Sequence, residues 1–219
     1  MTDLDEVWRR FNFIAPVSRE TIERLQIYSD ILRRWSKIKN LVAPNTLQHI
    51  WERHFADSLQ IGPLIGDSQA IIDLGSGAGF PGLVLALQAC EKKDVNVHLI
   101  EADSRKCAFL REVVRETGAA ATVHSGRIDD IIKTLPVPDV VTARALASLE
   151  TLVKLSHPLI SSGALGVFLK GQNYRSELTV AKSGCTFEFE AVPSVTDPAA
   201  AVILVRSALA SHFEVSSNG

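Results

Sequence analysis

The sequence predicts a Rossmann-like α/β protein: a seven-stranded sheet, six strands parallel and one antiparallel, preceded by an N-terminal helical extension. Three observations predict it. The apolar stretch Ala70–Leu74 runs straight into glycines at alternate positions (Gly75, Gly77, Gly79), followed by a helical run that Pro81 can open. From Gln69 onward, strand-like and helix-like segments alternate at the spacing that parallel crossovers require. Between the last two strands lies only Val192-Pro-Ser-Val-Thr-Asp-Pro-Ala199, too short for a crossover helix, so those strands pair antiparallel.

Taken in order, the extension covers residues 1–66. Ser18 can cap a helix whose apolar positions Ile22, Leu25, Tyr28, Ile31, Leu32 and Trp35 recur at helical spacing. A second helix from about Thr46 carries Leu47, Ile50, Trp51, Phe55 and Leu59. The α/β domain covers 67–206. Its predicted strands are Ala70–Leu74, Val95–Ile100, Ala121–His124, Val140–Ala143, Ala164–Leu169, Thr186–Ala191 and Ala200–Val205. Pro81–Ala89, Arg105–Glu116 and Ser148–Leu155 are the crossover helices. Residues 207–219 form a tail with no periodicity.

The bulk numbers exclude several classes. With 46% hydrophobic and 22% charged residues over 219 positions, the composition is that of an ordinary soluble domain. The start, Met1-Thr-Asp-Leu-Asp-Glu6, has neither the basic residues nor the apolar run of a signal peptide, and no segment is apolar enough to span a bilayer. A cytoplasmic protein without a membrane partner is expected. Cys90, Cys107 and Cys185 are too scattered for a disulfide framework or a zinc site, so no metal is expected. A net charge of −2 and pI near 6.3 give no global signature of nucleic-acid binding. Two local basic clusters remain: Arg33, Arg34, Lys37 and Lys39 with Arg53, and Arg105, Lys106, Arg111 and Arg115.

The glycine bend admits two ligands. Gly77, Gly79 and Gly82 satisfy the dinucleotide spacing, in which a pyrophosphate rests on a helix N-terminus. The competitor is S-adenosylmethionine, which carries a cationic sulfonium and no phosphate. Asp73, two residues before Gly75, repels a pyrophosphate and suits an ammonium or sulfonium. The D-x-G-x-G-x-G pattern after an apolar strand resembles the first motif of class I methyltransferases.

Ligands of such sheets bind beyond the carboxyl ends of the strands. There Glu101 can accept from both hydroxyls of a ribose. Ile128 can lie on an adenine face while Asp129 or a backbone N–H meets its edge. Arg144, set among alanines in Thr142-Ala-Arg-Ala-Leu-Ala-Ser148, can aim its fork at a methionine carboxylate or an RNA phosphate. Lys170 places another cation on the rim. His54 and Asp57 share a helix face, either toward the cleft mouth to hold RNA or as a buried pair locking the extension to the domain. No Ser/His/Asp arrangement, N-P-P-Y-like motif or cysteine placed for attack on a pyrimidine is present, and no catalytic residue is assigned.

Asp73-Leu-Gly-Ser-Gly-Ala-Gly-Phe-Pro-Gly82, Thr142–Ser148, Lys170-Gly-Gln172, Trp35-Ser-Lys-Ile-Lys-Asn-Leu41 and Arg53-His-Phe-Ala-Asp-Ser-Leu59 together resemble the glucose-inhibited division protein B family of small-subunit rRNA methyltransferases. The similarity runs from about residue 20 to 206. Glu101 stands where many members have aspartate, and the tail after Arg206 matches nothing in the family. The resemblance implies a monomeric cytoplasmic enzyme that methylates N7 of one guanosine in the decoding-region loop of 16S rRNA, acting on the rRNA or the 30S subunit. It also implies cofactor contacts at Gly75, Phe80, Ile128, Asp129 and Arg144. Three other readings stay open on the residues alone: a nicotinamide-dependent oxidoreductase, a non-catalytic RNA-binding assembly factor, and a small-molecule methyltransferase.

Overall fold

A computed structural model describes residues 3–38, 41–90, 92, 94–183 and 187–207. Lys39, Cys185, Thr186 and the tail beyond Ser207 lie outside the described residues. The strands are β1 Ala70–Leu74, β2 Asn96–Glu101, β3 Ala121–Ser125, β4 Val140–Arg144, β5 Leu165–Lys170, β6 Phe187–Pro193 and β7 Ala201–Ser207. They stand in the order β3-β2-β1-β4-β5-β7-β6. Only β7 is reversed, pairing antiparallel with β5 and β6. The expected sheet is therefore found, with the described strand ends within two residues of expectation. β1 and β4 are almost wholly buried, as strands covered by helices on both faces must be.

Among the described residues, helices around the sheet include α1 Leu4–Ile14, α2 Arg19–Ser36, α3 Gly82–Gln88, α4 Ser104–Thr117, α5 Ile128–Ile131, α6 Leu149–Ser161 and α7 Tyr174–Ser183. Ser18 caps α2 as its position predicts, its side chain accepting from the Thr21 N–H at 3.0 Å. Besides the one-turn α5, two longer helices were not anticipated. α1 is capped by Asp3, whose carboxylate accepts from the N–H groups of Asp5 and Glu6, and it buries only Val7 and Phe11. α7 buries only Ala181, so its apolar stripe is faint. The single helix expected from Thr46 is instead a chain of short pieces around a π-helical turn, Trp51–Ala56. Such turns recur at functional sites, and this one carries His54 and precedes Asp57.

One apolar cluster lies on each face of the sheet. Leu25, Tyr28, Phe55, Leu83 and Phe109 belong to one; Ile72, Leu152, Phe168 and Ile203 belong to the other. The extension thus packs into the first core rather than beside it. Each fully buried side chain of α2 contributes on the order of 1.5–3 kcal/mol of burial. Tyr28 is the hub: its ring lies 5.2 Å from Phe55, 5.5 Å from Phe80 and 6.1 Å from Phe109. Its hydroxyl donates to the Ala78 carbonyl inside the glycine bend.

Candidate functional site

The chain runs from β1 to β2 and β3 on one side, then crosses back to place β4 beside β1. Ligand clefts open at the carboxyl ends of strands where the order switches in this way. A cavity of about 800 Å³ opens there, well within the range of small-molecule sites. Its walls include Gly75, Gly77, Phe80, Glu101, Ile128, Asp129, Arg144 and His54. Residues chosen from five separate parts of the sequence therefore meet around one space.

The floor is the glycine bend. Gly75, Gly77 and Gly79 have φ of +62°, +57° and +93°, conformations that side chains with a Cβ resist. A Cβ on Gly79 would come within 2.6 Å of the Tyr28 hydroxyl and of Leu83 Cδ1, so α2 and α3 close on the bend from behind. Glu101, at the end of β2, spans the bend. Its Oε2 accepts from the Gly77 N–H at 2.9 Å and its Oε1 from the Asp103 N–H at 2.8 Å. Each oxygen keeps a lone pair for a further donor such as a ribose hydroxyl.

This contact discriminates between the two ligand classes. A dinucleotide bend offers its amides to phosphate; here the Gly77 N–H is already held by a carboxylate, so the cradle presents an anion to its ligand. Asp73 does not take the part the sequence suggested. It is fully buried beneath the bend and does not line the cavity. Its Oδ1 accepts from Thr142 Oγ1 at 2.8 Å, across the β1–β4 pair. Its Oδ2 forms no hydrogen bond among the described residues and packs against Gly82, where a Cβ would approach it to 2.7 Å. Burial lifts this carboxyl to about 6, against the pull of the polar groups around it on Thr142, Ser76 and the Gly82 backbone. Asp73 shapes the bend from below, and Glu101 is the acid that faces the ligand.

Arg144 ends β4 at the back wall. Its Nε pairs with Asp57 Oδ2 at 3.2 Å and its Nη2 donates to the Arg53 carbonyl at 2.7 Å. Nη1 is buried without a partner among the described residues. The guanidinium also lies 5.8 Å from the Phe80 ring centroid. Tyr28 and His54 both stack with Phe80, at 5.5 Å and 4.7 Å between ring centroids. His54 Nε2 meets Thr46 Oγ1 at 2.9 Å. Burial, with Arg144 and Arg53 adding to it, lowers the imidazole pKa to about 3, so it is neutral at physiological pH.

His54 and Asp57 do not pair with each other; they flank Arg144 from one short segment. Asp57 is tied further, its Oδ1 accepting from Gln60 Nε2 and Thr196 Oγ1, both at 2.8 Å. Lys170 does not reach free into the cleft. Its ammonium pairs with Glu177 at 2.6 Å and donates to the Ala147 carbonyl at 2.9 Å. Asp57, Lys170 and Arg144 line a second cavity of about 320 Å³, and Arg144 and Ala145 form the wall it shares with the first. Ala145 has φ +52°, a left-handed conformation that a side chain adopts only under local constraint.

Three features of the site had no expectation attached. Leu41–Ala43 and Thr46 close one side of the cavity, Leu146 overhangs Gly75, and Tyr28 holds the bend from the extension. Lys106 and Arg127 also reach the cavity wall. Of the two basic clusters, Arg34 is paired with Glu112 at 2.7 Å, and Arg53 with Asp197 at 3.6 Å. Among the described residues no helix is long and apolar enough to cross a membrane, and no group of His, Cys, Asp and Glu is placed to hold a metal.

Solved structures with a similar fold include a putative O-methyltransferase from Klebsiella pneumoniae, with TM-score 0.57 and 15% identity over 83% of this chain and 90% of that one. Another is a S-adenosylmethionine-dependent methyltransferase from Aquifex aeolicus, with TM-score 0.54 and 17% identity over 78% and 95%. A mutant of MtNAS solved in complex with S-adenosylmethionine gives TM-score 0.57 and 16% identity over 93% and 77%. Sequence relatives are much nearer. The ribosomal RNA small subunit methyltransferase G of Methylorubrum extorquens strain PA1 is 47% identical over 87% of this chain and 90% of its own length. That of Parvibaculum lavamentivorans is 46% identical over 90% and 87%. The family model described as rRNA small subunit methyltransferase G matches residues 21–202. On that match and those identities, the chain belongs to the rRNA small subunit methyltransferase G family.

Proposed function

We propose that this protein transfers a methyl group from S-adenosylmethionine to N7 of a single guanosine in the decoding-region loop of 16S rRNA, as a cytoplasmic monomer acting on the rRNA or the 30S subunit. The observation that carries the cofactor assignment is Glu101, whose carboxylate occupies the amide that a pyrophosphate would need. S-adenosylmethionine supplies an electrophilic methyl on a positively charged sulfur. Glu101 takes ribose hydroxyls on its spare lone pairs, Ile128 covers an adenine face, and Asp129 meets the adenine edge. Arg144 Nη1, buried and without a hydrogen-bond partner among the described residues, is the donor assigned to the cofactor's carboxylate. Gly75, Gly77 and Phe80 supply the close backbone approach and the flat wall.

The acceptor base enters the second cavity, against Asp57 and Lys170, and meets the donor at the Arg144–Ala145 wall. Guanine N7 is chosen because its lone pair is uncovered at neutral pH and no base is required. The groups at the junction fit that demand: His54 is neutral, and Asp57 is engaged by Arg144. The reaction then rests on alignment, and on a wall whose charges are fixed before the positive charge moves to the purine. N7 lies in the deep groove of an RNA duplex, so the base must be splayed from a loop to reach this cavity.

The test is radiolabelled methyl transfer to 30S subunits and to deproteinised 16S rRNA from a strain lacking the enzyme, with the modified nucleoside identified by mass spectrometry. The reading expects one 7-methylguanosine per subunit. Label at an exocyclic amine, at a ribose, or in no RNA would overturn it.

A further inference from the structure

Beside the acceptor cavity lies a groove of about 590 Å³ between α1 and the β6–β7 turn, lined by Arg9, Arg10, Phe13, Glu52, Val195 and Thr196 among others. Glu52 and Thr196 line both the groove and the acceptor cavity, so the two adjoin along these side chains. Thr196 also donates to Asp57, which holds Arg144. The outer lips are apolar and uncovered: Phe13 is 94% exposed and Val195 67%. A single exposed apolar residue ordinarily means nothing. Phe13 differs because its neighbour Phe11 is already buried against Trp51, at 5.7 Å between rings, so α1 does not need Phe13 for its core. On the same helix Arg9 pairs with no acid among the described residues, and Arg10 is held only by exposed Glu52 at 3.4 Å.

We propose that this groove docks the single-stranded RNA flanking the target nucleotide, with an unstacked base lying on the Phe13 ring and Arg9 against a phosphate. The proposal rests on the reading of the chain as an rRNA methyltransferase and extends it to a surface outside the cofactor and acceptor cavities. An exposed aromatic ring beside cations is how proteins hold unstacked bases without reading their edges. The groove adjoins the acceptor cavity, which adjoins the cofactor cavity, so a strand docked there lies where one nucleotide can turn inward.

The experiment uses the full chain with 30S subunits, measuring both methyl transfer and filter binding. Phe13→Ala should raise the KM for subunits about tenfold, the effect of losing one stacked base. It should leave kcat and the S-adenosylmethionine Kd within about twofold, and Phe13→Trp should restore the KM. Arg9→Gln should lower the slope of log binding against log salt by about one. A Phe13→Ala protein with unchanged KM and unchanged filter binding overturns the proposal. So does a wild type that light scattering finds dimeric and Phe13→Ala converts to monomer, which would make the groove a self-association surface. Subunit binding that depends on Phe13 without any methyl transfer would uphold the groove and reject the proposed reaction; 7-methylguanosine formed by Phe13→Ala with the wild-type KM for subunits would do the reverse.

Discussion

Removing one oxygen, Tyr28→Phe, tests whether the N-terminal extension is part of the cofactor site. The hydroxyl donates to the Ala78 carbonyl within the bend, and Tyr28 is fully buried. The phenyl ring keeps its contacts with Phe55, Phe80 and Phe109, so packing is preserved and only the hydrogen bond is lost. Leaving a buried carbonyl unsatisfied costs about 1–3 kcal/mol. For a chain of this size each kcal/mol lowers Tm by about 2–4 °C, so calorimetry should find a fall of about 2–12 °C. The bend then loses its tether from α2, and titration calorimetry should find S-adenosylmethionine bound several-fold more weakly. Saturating cofactor should widen the Tm gap, because the variant binds it more weakly and so gains less stability from it. Unchanged stability with unchanged affinity would refute the buttress; reduced stability with wild-type affinity would make Tyr28 a core residue and nothing more.

Arg144→Ala removes the cation from the shared wall and strands the half-buried Asp57. Methyl transfer should fall about 100- to 1000-fold, the range for losing one preorganised charge. Stability should fall by about 1.5–3 kcal/mol, leaving the protein folded; near-wild-type transfer would reject the assignment. Gly75→Val forces a branched residue to φ +62° and sets its Cβ 2.6 Å from Leu146 Cδ1, driving Leu146 into the cavity. Its cofactor Kd should rise at least about tenfold, and an unchanged Kd would show that the ligand lies elsewhere. For His54 the folded pKa of about 3 lies below the unfolded 6.5, so the native state takes up fewer protons. Its contribution is complete above pH 6.5 and is lost as pH falls toward 3. Asp73, raised from 3.8 to about 6, has the opposite sign and gains stability as pH falls through the same window. His54→Phe should therefore flatten or reverse the acid loss in urea midpoints between pH 7.5 and 4.5; an unaltered slope would contradict the neutral imidazole.

The fold was legible because its strands carry unbroken apolar runs and its longer helices carry strong stripes, as in Leu25–Tyr28–Leu32 of the extension or Phe109–Leu110–Val113 of a crossover. α1 and α7 were not, because two buried residues or one make no period. Strand-end positions alone pointed to Glu101, Ile128, Asp129 and Arg144, and these do converge. Asp73 shows the limit of that reasoning. Sequence places it at the mouth, whereas side-chain direction and the glycine at 82 decide that it points beneath the bend. The pairing of Arg144 with Asp57 joins segments far apart in the chain, which no local pattern encodes, and that of Lys170 with Glu177 depends on α7, whose faint stripe hides it.

Asp73, Glu101 and Tyr28 together give a mechanical account of the bend. One acid fills the space below it, one acid ties its amide from the ligand side, and a phenol anchors its carbonyl. All three interactions are made within the protein alone, so the cradle is shaped before anything enters it, which is the arrangement that lowers the cost of binding.

The most direct measurement is a crystal structure of the protein with S-adenosylmethionine. The account predicts ribose hydroxyls within hydrogen-bond distance of Glu101, the adenine against Ile128, and the methyl directed at the wall formed by Arg144 and Ala145. A donor bound away from the glycine bend, or a nicotinamide dinucleotide binding there more tightly, would contradict it.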